Sequence, residues 1–534
     1  MPPIISAPPA DPSAIRATAA PLNQTEVFAV HGADPEVLAY AMAKYSRSSL
    51  SMKESLREIS AQQAEQFLNT FYFAYGHRSI ADLAHVAFAI EKLSLLAAIA
   101  LVDEQRWDGQ ERSTRYQNFK KSGWHTPSFG EDAEAAAKYT AAIEALFAAY
   151  NHMGEGMLPA LMAAVAKPEE LKQEAYERTL KARAFDMARY LLPLATNTSL
   201  GQIVNARTLE TQVSRLLTSE SAEIRDLGER LRGAAASPAW NVNHEPLKVL
   251  QQEIAALDPD LGARAEELLL REVKASPTLV KYAAASEYEK ATRRELAQAA
   301  EELLGGEAME GAPVVDLLDS EPLEVELATS LLYANCHYRY RQIRSHVESL
   351  SAARRDEIVA LGAKHRGRHD ELLRPFSAGQ GLRFDILMDV GGFRDMHRHR
   401  RCVQLLQGYT AAHGYEVPQC PGQTTLAEAG LLESYRSAMD AAFAAHEALR
   451  RSSASEASAA ANYVLPLATR CRSLFKMDFA EALYICEIRS TPAGHFSYRR
   501  VAWEMYQAVA KAHPSLAGYF RISDVNEPID LLKR

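Results

Sequence analysis

The chain has 534 residues, of which 47% are hydrophobic and 24% charged, and its formal net charge is −9. This length suits two to four domains, and the ordinary globular composition with net negative charge excludes a general attraction to nucleic acid or anionic membranes. Any basic binding site must therefore be local. All five cysteines lie in the second half at spacings that match neither a zinc ribbon nor a regular disulfide framework, so we expect a reducing, cytoplasmic setting.

The first 25 residues are rich in proline and alanine and lack a cationic start followed by a long apolar core. They predict a flexible tail rather than a signal peptide. The most apolar run, LSLLAAIALV at 93–102, is about half the length that a bilayer-spanning helix needs. We therefore expect no membrane segment.

The periodicity of apolar residues predicts a mostly helical chain with some strands. Strands are predicted at 85–91 and 383–390, and Gly391 and Gly392 then end the second strand. Ala-, Leu- and Glu-rich segments predict helices at 135–165, 208–232, 246–273, 286–304, 427–450 and 477–490.

A short internal repeat divides the chain. YLLPLAT at 190–196 returns as YVLPLAT at 463–469. Upstream of each copy lies a long helical segment, and before that an apolar stretch that ends in an arginine-containing polar element. A period this long excludes a solenoid, so two related halves joined near 235–325 are the natural interpretation.

The stretch RDMHRHRRCVQ, residues 394–404, holds two histidines and four arginines. His397 and His399 share a face only in an extended segment, and the surrounding arginines repel a metal cation. Nucleic-acid binding is typically accompanied by a wider basic face. A compact Arg/His cluster favours phosphate groups or an anionic ring, although solvated surface ion pairs would look the same in sequence.

These residues resemble a known family. FRDMHRHRRCVQ is similar to the Arg-His-Arg signature of flavin-dependent thymidylate synthases. In the first half, YGHRSIADLAHVAFAIE resembles the glycine-histidine segment of that family, and ERSTRYQNF resembles its Ser-x-Arg-Tyr ending. ARYLLPLATNTSLGQIVNARTL resembles the segment in which an arginine precedes Leu-Pro and a later Asn-Ala-Arg touches the flavin.

The resemblance implies an α+β fold of two repeats like these synthases, each a small, mostly antiparallel sheet packed with long helices. We expect the repeats at 26–235 and 326–534, with a helical connector at 236–325. The halves have complementary losses. The first half has Asp103, Glu104 and Gln105 in place of Arg-His-Arg, and Leu216 in place of the late arginine. The second half departs from the pattern at Gly408, Thr410, Asn462, Asp478 and Ala480.

One composite site between the halves is therefore expected to be complete, with the degenerate residues in a twin site. Under the resemblance Arg489 is catalytic and no metal is needed. The residues implied to bind the cofactor are His77, Ser79, Asn205, Arg207, Arg398, His399 and Arg400. The residues implied to bind the substrate are Glu111, Ser113, Arg115, Arg189 and Arg489. Asp395 stands where the family usually has a glutamine touching the nucleotide, and an acid there disfavours a phosphorylated substrate unless an arginine offsets it.

The implied activity is reductive methylation of dUMP to dTMP with FAD as cofactor and with methylenetetrahydrofolate and NADPH as co-substrates. Two alternatives stay open: flavin-dependent modification of another pyrimidine nucleotide, or a non-catalytic homologue that binds flavin or nucleotide. We expect no nucleic-acid or membrane partner. A homodimer of two-repeat chains would give a four-repeat assembly.

Overall fold

The computed structural model describes residues 28, 30, 32–44, 51–58, 61–69, 78–319, 321–366, 373–376, 381–419, 425–452 and 455–532. The predicted tail at 1–25 and the site residue His77 lie outside these ranges. No described helix combines the length and hydrophobicity of a membrane-spanning segment. The described cysteines Cys336, Cys402, Cys471 and Cys486 form no disulfide.

The first half contains three strands and eight helices within the described ranges. The strands β1 to β3 are His85–Ser94, Asp108–Glu111 and Asn197–Asn205. The helices α1 to α8 are Pro35–Lys44, Met52–Glu58, Ala61–Leu68, Leu95–Leu101, Ala133–Ala164, Gln173–Ala188, Ala206–Thr218 and Ala222–Ala236.

The connector is helical with one short strand, and the second half again alternates helices and strands. The connector helices α9 to α11 are His244–Leu257, Pro259–Leu269 and Glu287–Leu304, followed by β4 at Val315–Leu318. The later strands β5 to β7 are Leu382–Asp389, Val403–Leu406 and Arg470–Met477. The later helices α12 to α19 are Leu323–Tyr333, Tyr340–Ser349, Ala352–Lys364, Val390–Met396, Leu432–Arg450, Ser455–Ala460, Phe479–Ser490 and Phe496–Ala512.

Two small antiparallel sheets have related strand orders. The first sheet has the order β1-β3-β2, and the second has the order β4-β5-β7-β6. The strands β3 and β7 each follow a copy of the repeated motif. β3 pairs with β1, β7 pairs with β5, and both β1 and β5 lead into a short helix. β4 is an additional edge strand, supplied by the connector.

The two copies of the repeated motif pair with each other through their backbones. Leu194 donates its N–H to the carbonyl of Leu465 at 2.9 Å, and Leu467 donates to Leu192 at 2.9 Å. Pro193 and Pro466 form the bridge between these bonds. Exchanging each residue for its counterpart in the other copy turns one bond into the other, which is the pattern of a local two-fold axis.

The surroundings of the motif follow the same exchange. Leu95 N–H donates to the carbonyl of Thr196 at 2.9 Å, and Val390 N–H donates to that of Thr469 at 2.9 Å. The long helices α5 and α16 pack against each other, and one buried apolar cluster contains residues from both halves. Because this cluster is shared, neither half buries these apolar residues alone.

The second sheet also buries charges that the first lacks. Arg472 pairs with Asp385 at 3.0 Å, and Lys476 pairs with Glu326 of α12 at 3.0 Å. The Lys476 side chain is fully buried. Burying such groups is tolerable only when each charge is paired and hydrogen-bonded, so α12 and this sheet are held together in one arrangement.

The predicted mixture of helices with small antiparallel sheets is confirmed. The predicted strands at 85–91 and 383–390 correspond to β1 and β5, and the helix predicted at 135–165 corresponds to α5. The helices predicted at 208–232 and 246–273 are each two helices in the structure. The central strands β3 and β7 were not predicted, because glycine and polar residues in one, and charged residues in the other, obscure the alternation.

The equivalent tyrosines of the repeated motif allow a matched stability test. Tyr463 donates its hydroxyl to Glu223 at 2.8 Å, whereas the buried hydroxyl of Tyr190 has no partner within hydrogen-bonding geometry. We expect Tyr463→Phe to lower the free energy of unfolding by about 1–3 kcal/mol, because the part-buried carboxylate of Glu223 loses a donor. Tyr190→Phe is the control and should cost less. Urea unfolding measures both, and equal losses would contradict the assignment.

Candidate active site

The short helix α15 carries the basic stretch to the boundary between the halves. Asp389 caps the helix, because its carboxylate accepts the N–H of Gly392 at 2.6 Å. A Cβ atom at Gly392 would lie 2.7 Å from Ser497 Oγ, so only glycine lets the helix approach this closely. The tight packing places Arg394 and Asp395, in the last turn, against the first half.

Three contacts join the halves at this point. Arg394 donates to Glu111 of β2 in a part-buried ion pair. Asp395 lies 3.6 Å from Nη1 of Arg189. Arg115 donates from Nη1 to the hydroxyl of Tyr498, which belongs to α19, at 2.9 Å.

Arg115 is fully engaged by protein groups. It forms a two-pronged ion pair with Asp186, with Nε–Oδ1 and Nη2–Oδ2 distances of 2.9 and 3.2 Å, and Nη2 also donates to the carbonyl of Ala493. Burial acts to raise the pKa of Asp186, but His495, Arg115 and Arg189 together hold that pKa below its usual value. Asp186 is therefore charged, and its carboxylate is paired with Arg115. Ser113, also predicted for the substrate, accepts the N–H of Arg115 with its hydroxyl at 3.3 Å.

Arg489 is held by a histidine of the basic stretch. Its Nε donates to Nε2 of His399 at 2.8 Å, and Nδ1 of His399 lies 3.6 Å from the buried carboxylate of Glu481. Burial lowers the pKa of His399, which favours the neutral ring that this contact requires. The guanidinium of Arg489 also lies 5.5 Å from the ring of Tyr498, and that of Arg115 lies 5.7 Å from the same ring. Tyr498 thus connects the predicted catalytic arginine to a predicted substrate residue of the other half.

A small cavity lies beside this cluster and mixes acidic and basic groups. Its walls include residues of both halves: Asp103, Glu104, Gln105, Arg374, His397, His399, Arg400, Cys402 and Gln404. Asp103 accepts from Arg374 at 2.6 Å and lies 3.6 Å from His397. The structure therefore places Asp103 and Glu104 of the first half in the same cavity as the retained His399 and Arg400, rather than in a separate twin site.

The retained arginines differ in their environments. Arg398 is exposed, and its side chain makes no hydrogen bond or ion pair with any described residue. Arg400 is half-buried over the Trp107 ring at 5.4 Å, and its Nε is buried without a hydrogen-bond partner. Burial lowers the pKa of Arg400 to about 10. Arg401 is exposed and pairs with Asp478 at 2.9 Å.

The remaining predicted residues have mainly local contacts. Asn205 caps α7 by accepting the N–H of Thr208 at 2.8 Å. Arg207 pairs with Asp82 at 3.4 Å. Ser79 lies in the turn Arg78–Leu83, and the structure describes no side-chain position for it. None of these contacts brings Asn205 or Arg207 to the cluster around Arg489.

Sequence reasoning missed Asp186, Arg374, Glu481 and Tyr498. Each contacts a predicted residue that lies far away in sequence, although Asp186 also lies three residues before the predicted Arg189. Among the described residues, no group of three or more His, Cys, Asp or Glu side chains is arranged to hold a metal ion.

The sequence has relatives along almost its whole length. A family model described as thymidylate synthase complementing protein matches residues 28–236 and 332–515. The chain is similar to a UPF0159 protein of Chlamydia pneumoniae, with 28% identity covering 95% of this chain and 93% of that protein. It is similar to the UPF0159 protein Ta1429 of Thermoplasma acidophilum, with 25% identity covering 91% and 95%. A flavin-dependent thymidylate synthase of Clostridium tetani is 25% identical over 211 residues, 39% of this chain and 81% of that enzyme.

The buried cap of α15 predicts a pH dependence. Burial raises the pKa of Asp389 to about 6, against the opposing effects of Ser497 and Arg189. The folded protein therefore binds a proton on Asp389 at pH values where the unfolded chain has released it, and Asp389 favours folding less as pH rises from about 4 through 6.

Asp389→Asn should remove this dependence while keeping an oxygen to cap the helix. Relative to wild type, the variant should gain up to about 3 kcal/mol of unfolding free energy between pH 4 and pH 7. Urea unfolding across that range measures the difference, with exposed Asp356→Asn as the control. Parallel curves for wild type and Asp389→Asn would contradict the buried, proton-binding cap.

Proposed function

The chain belongs to the family described as thymidylate synthase complementing protein, and on that premise we propose that it is a flavin-dependent enzyme that methylates dUMP to dTMP. One observation carries the proposal: α15 of the second half contacts Glu111 and Arg189 of the first, beside Arg489. The resemblance assigns Glu111 and Arg189 of the first half to the nucleotide site. Both contact residues of the second half across the boundary. A similar protein of Clostridium tetani bears the name flavin-dependent thymidylate synthase, which agrees with this function.

The proposed architecture is a duplicated one. Repeats at 26–235 and 326–534 flank a connector at 236–325. The reciprocal bonds between Leu194 and Leu465 and between Leu467 and Leu192 support the duplication. A homodimer would bring four repeats together, and further residues for the flavin would come from the second copy.

The cavity and the adjoining Arg398, which does not line it, suit an anionic cofactor. The exposed Arg398 and the unpartnered Nε of Arg400 offer guanidinium donors, and Asp103 is offset by Arg374. Arg398, His399 and Arg400 would hold FAD, joined by His77, Ser79, Asn205 and Arg207. When bound, FAD supplies the hydride chemistry, with NADPH as reductant and methylenetetrahydrofolate as carbon donor.

The protein groups around Arg489 have separable tasks. His399, neutral at Nε2, accepts from Arg489 and fixes the direction of its guanidinium. A fixed cation beside the uracil ring stabilises negative charge that develops on the ring. Glu111, Ser113, Arg115 and Arg189 would position the nucleotide from the first half.

Flavin binding gives the first test. We expect the purified protein to show flavin absorbance, and Arg400→Ala and Arg398→Ala each to weaken FAD binding at least tenfold, because a guanidinium donor is lost. Arg401→Ala is the matched control, since Arg401 belongs to the same stretch but pairs with Asp478. A protein that never binds FAD, or equal effects of all three changes, would contradict the proposed site.

Turnover gives the second test. Tritium release from dUMP labelled at C5, in the presence of methylenetetrahydrofolate and NADPH, should depend on Arg489. We expect Arg489→Lys to lower kcat roughly 100-fold or more, because lysine keeps the charge but loses the planar donor that His399 orients. Bound flavin without tritium release from dUMP would indicate one of two alternatives. Turnover of another pyrimidine nucleotide would identify a related modifying enzyme. The absence of turnover with any pyrimidine nucleotide would identify a binding protein.

A further inference from the structure

Arg189 is a buried cation with incomplete hydrogen bonding. Its side chain is 2% exposed, and neither Nε nor Nη2 has a hydrogen-bond partner. Its nearest carboxylate oxygens belong to Asp395, 3.6 Å from Nη1, and Asp186, 3.7 Å from Nε. Both distances are too long for strong charge-assisted hydrogen bonds, so the guanidinium is neutralised but not saturated.

Asp186 is already committed to another cation. Its carboxylate accepts hydrogen bonds from Nε and Nη2 of Arg115 at 2.9 and 3.2 Å, and His495 lies 3.7 Å from the same carboxylate. One carboxylate cannot neutralise two buried guanidinium groups. Asp395, whose carboxylate lies closest to Arg189, is therefore the main counter-ion that helps this guanidinium to stay charged in the interior, beside the more weakly acting Asp389.

Solvent reaches Asp395 but not Arg189. The Asp395 side chain is 20% exposed, against 2% for its partner. Gly391 places no side chain beside the guanidinium, since an added Cβ would lie 3.6 Å from Nη2. The solvent-accessible member of this ion pair is therefore the carboxylate of Asp395.

We propose that Asp395 determines the specificity of this site by acting as an internal counter-ion of Arg189, which the phosphate of a nucleotide must displace. The inference rests on the proposed function, because it takes the ligand to be a pyrimidine nucleotide. No bond is made or broken; one ion pair is exchanged for another.

The exchange has opposite effects with and without ligand. A phosphate dianion forms a two-pronged contact with a guanidinium, which is stronger than the single 3.6 Å contact to Asp395. The displaced carboxylate, however, remains close and repels the phosphate. Asp395 thus stabilises the empty site and weakens nucleotide binding, while a nucleoside that lacks phosphate is unaffected.

Calorimetric titration of dUMP and deoxyuridine into the full-length protein tests the proposal. We expect Asp395→Asn to bind dUMP at least tenfold more tightly than wild type, with deoxyuridine affinity unchanged within about twofold. Without ligand, Asp395→Asn should melt at a lower temperature, because Arg189 loses its counter-ion. Asp395→Gln repeats the test with a longer amide in case one variant folds poorly. Asp356→Asn, on the exposed face of α14, controls for net charge.

Each outcome is decisive. Tighter dUMP binding in either amide variant, with deoxyuridine constant, supports the displacement of Asp395. Unchanged or weaker dUMP binding in both folded variants overturns it while leaving the nucleotide site intact. Equal changes for dUMP and deoxyuridine also overturn it, since the effect would not involve the phosphate. If folded wild type and variants bind neither compound, the proposed nucleotide function fails together with this inference.

Discussion

Four backbone hydrogen bonds between the two copies of the repeated motif set the relative position of everything else. Leu194 and Leu467 each donate to the opposite copy, and so do Ala195 and Ala468. The backbone polar groups of these buried segments have few other places to find partners, so the pairing is a condition of burying the motif. Once it forms, the strand after each copy and the short helix before it are fixed across the boundary, and α15 meets β2.

The two halves exchange donor and acceptor at equivalent positions. In the first half Ser94 caps α4 and donates to the carboxylate of Glu223 at 2.6 Å. In the second half the capping residue is Asp389, and the hydroxyl belongs to Ser497. Each pair contains one carboxylate and one hydroxyl, so both helix caps are hydrogen-bonded. The carboxylate belongs to the partner of the capping residue in the first half and to the capping residue itself in the second. Compensation of this kind preserves local structure while each side of the boundary acquires its own chemistry.

A feature of the structure could be predicted from the sequence only where the residues that form it lie close together along the chain. The basic stretch and the repeated motif are local, and both identified the boundary between the halves. The strand β7 was not predicted because it contains the charged residues Lys476 and Arg472. Their charges are neutralised by Glu326 and Asp385, which lie on elements distant in sequence. Tyr498 was missed for the same reason, because it contacts Arg115 from 383 residues away. Asp186 lies three residues before Arg189, but its strongest contact is with Arg115, 71 residues away. The placement of Asp103 opposite His397 likewise required the folded chain.

The mutual pairing of the motif copies also constrains how the chain is made. The segment Tyr190–Thr196 is synthesised about 270 residues before its backbone partners, an interval of roughly 14–54 s at ordinary translation rates. During that interval the apolar face of α5 lacks its packing partner α16. The first half can therefore aggregate or associate with another nascent copy. The shared core thus makes correct assembly depend on the order of synthesis, and the covalent connection keeps each first half next to its own second half.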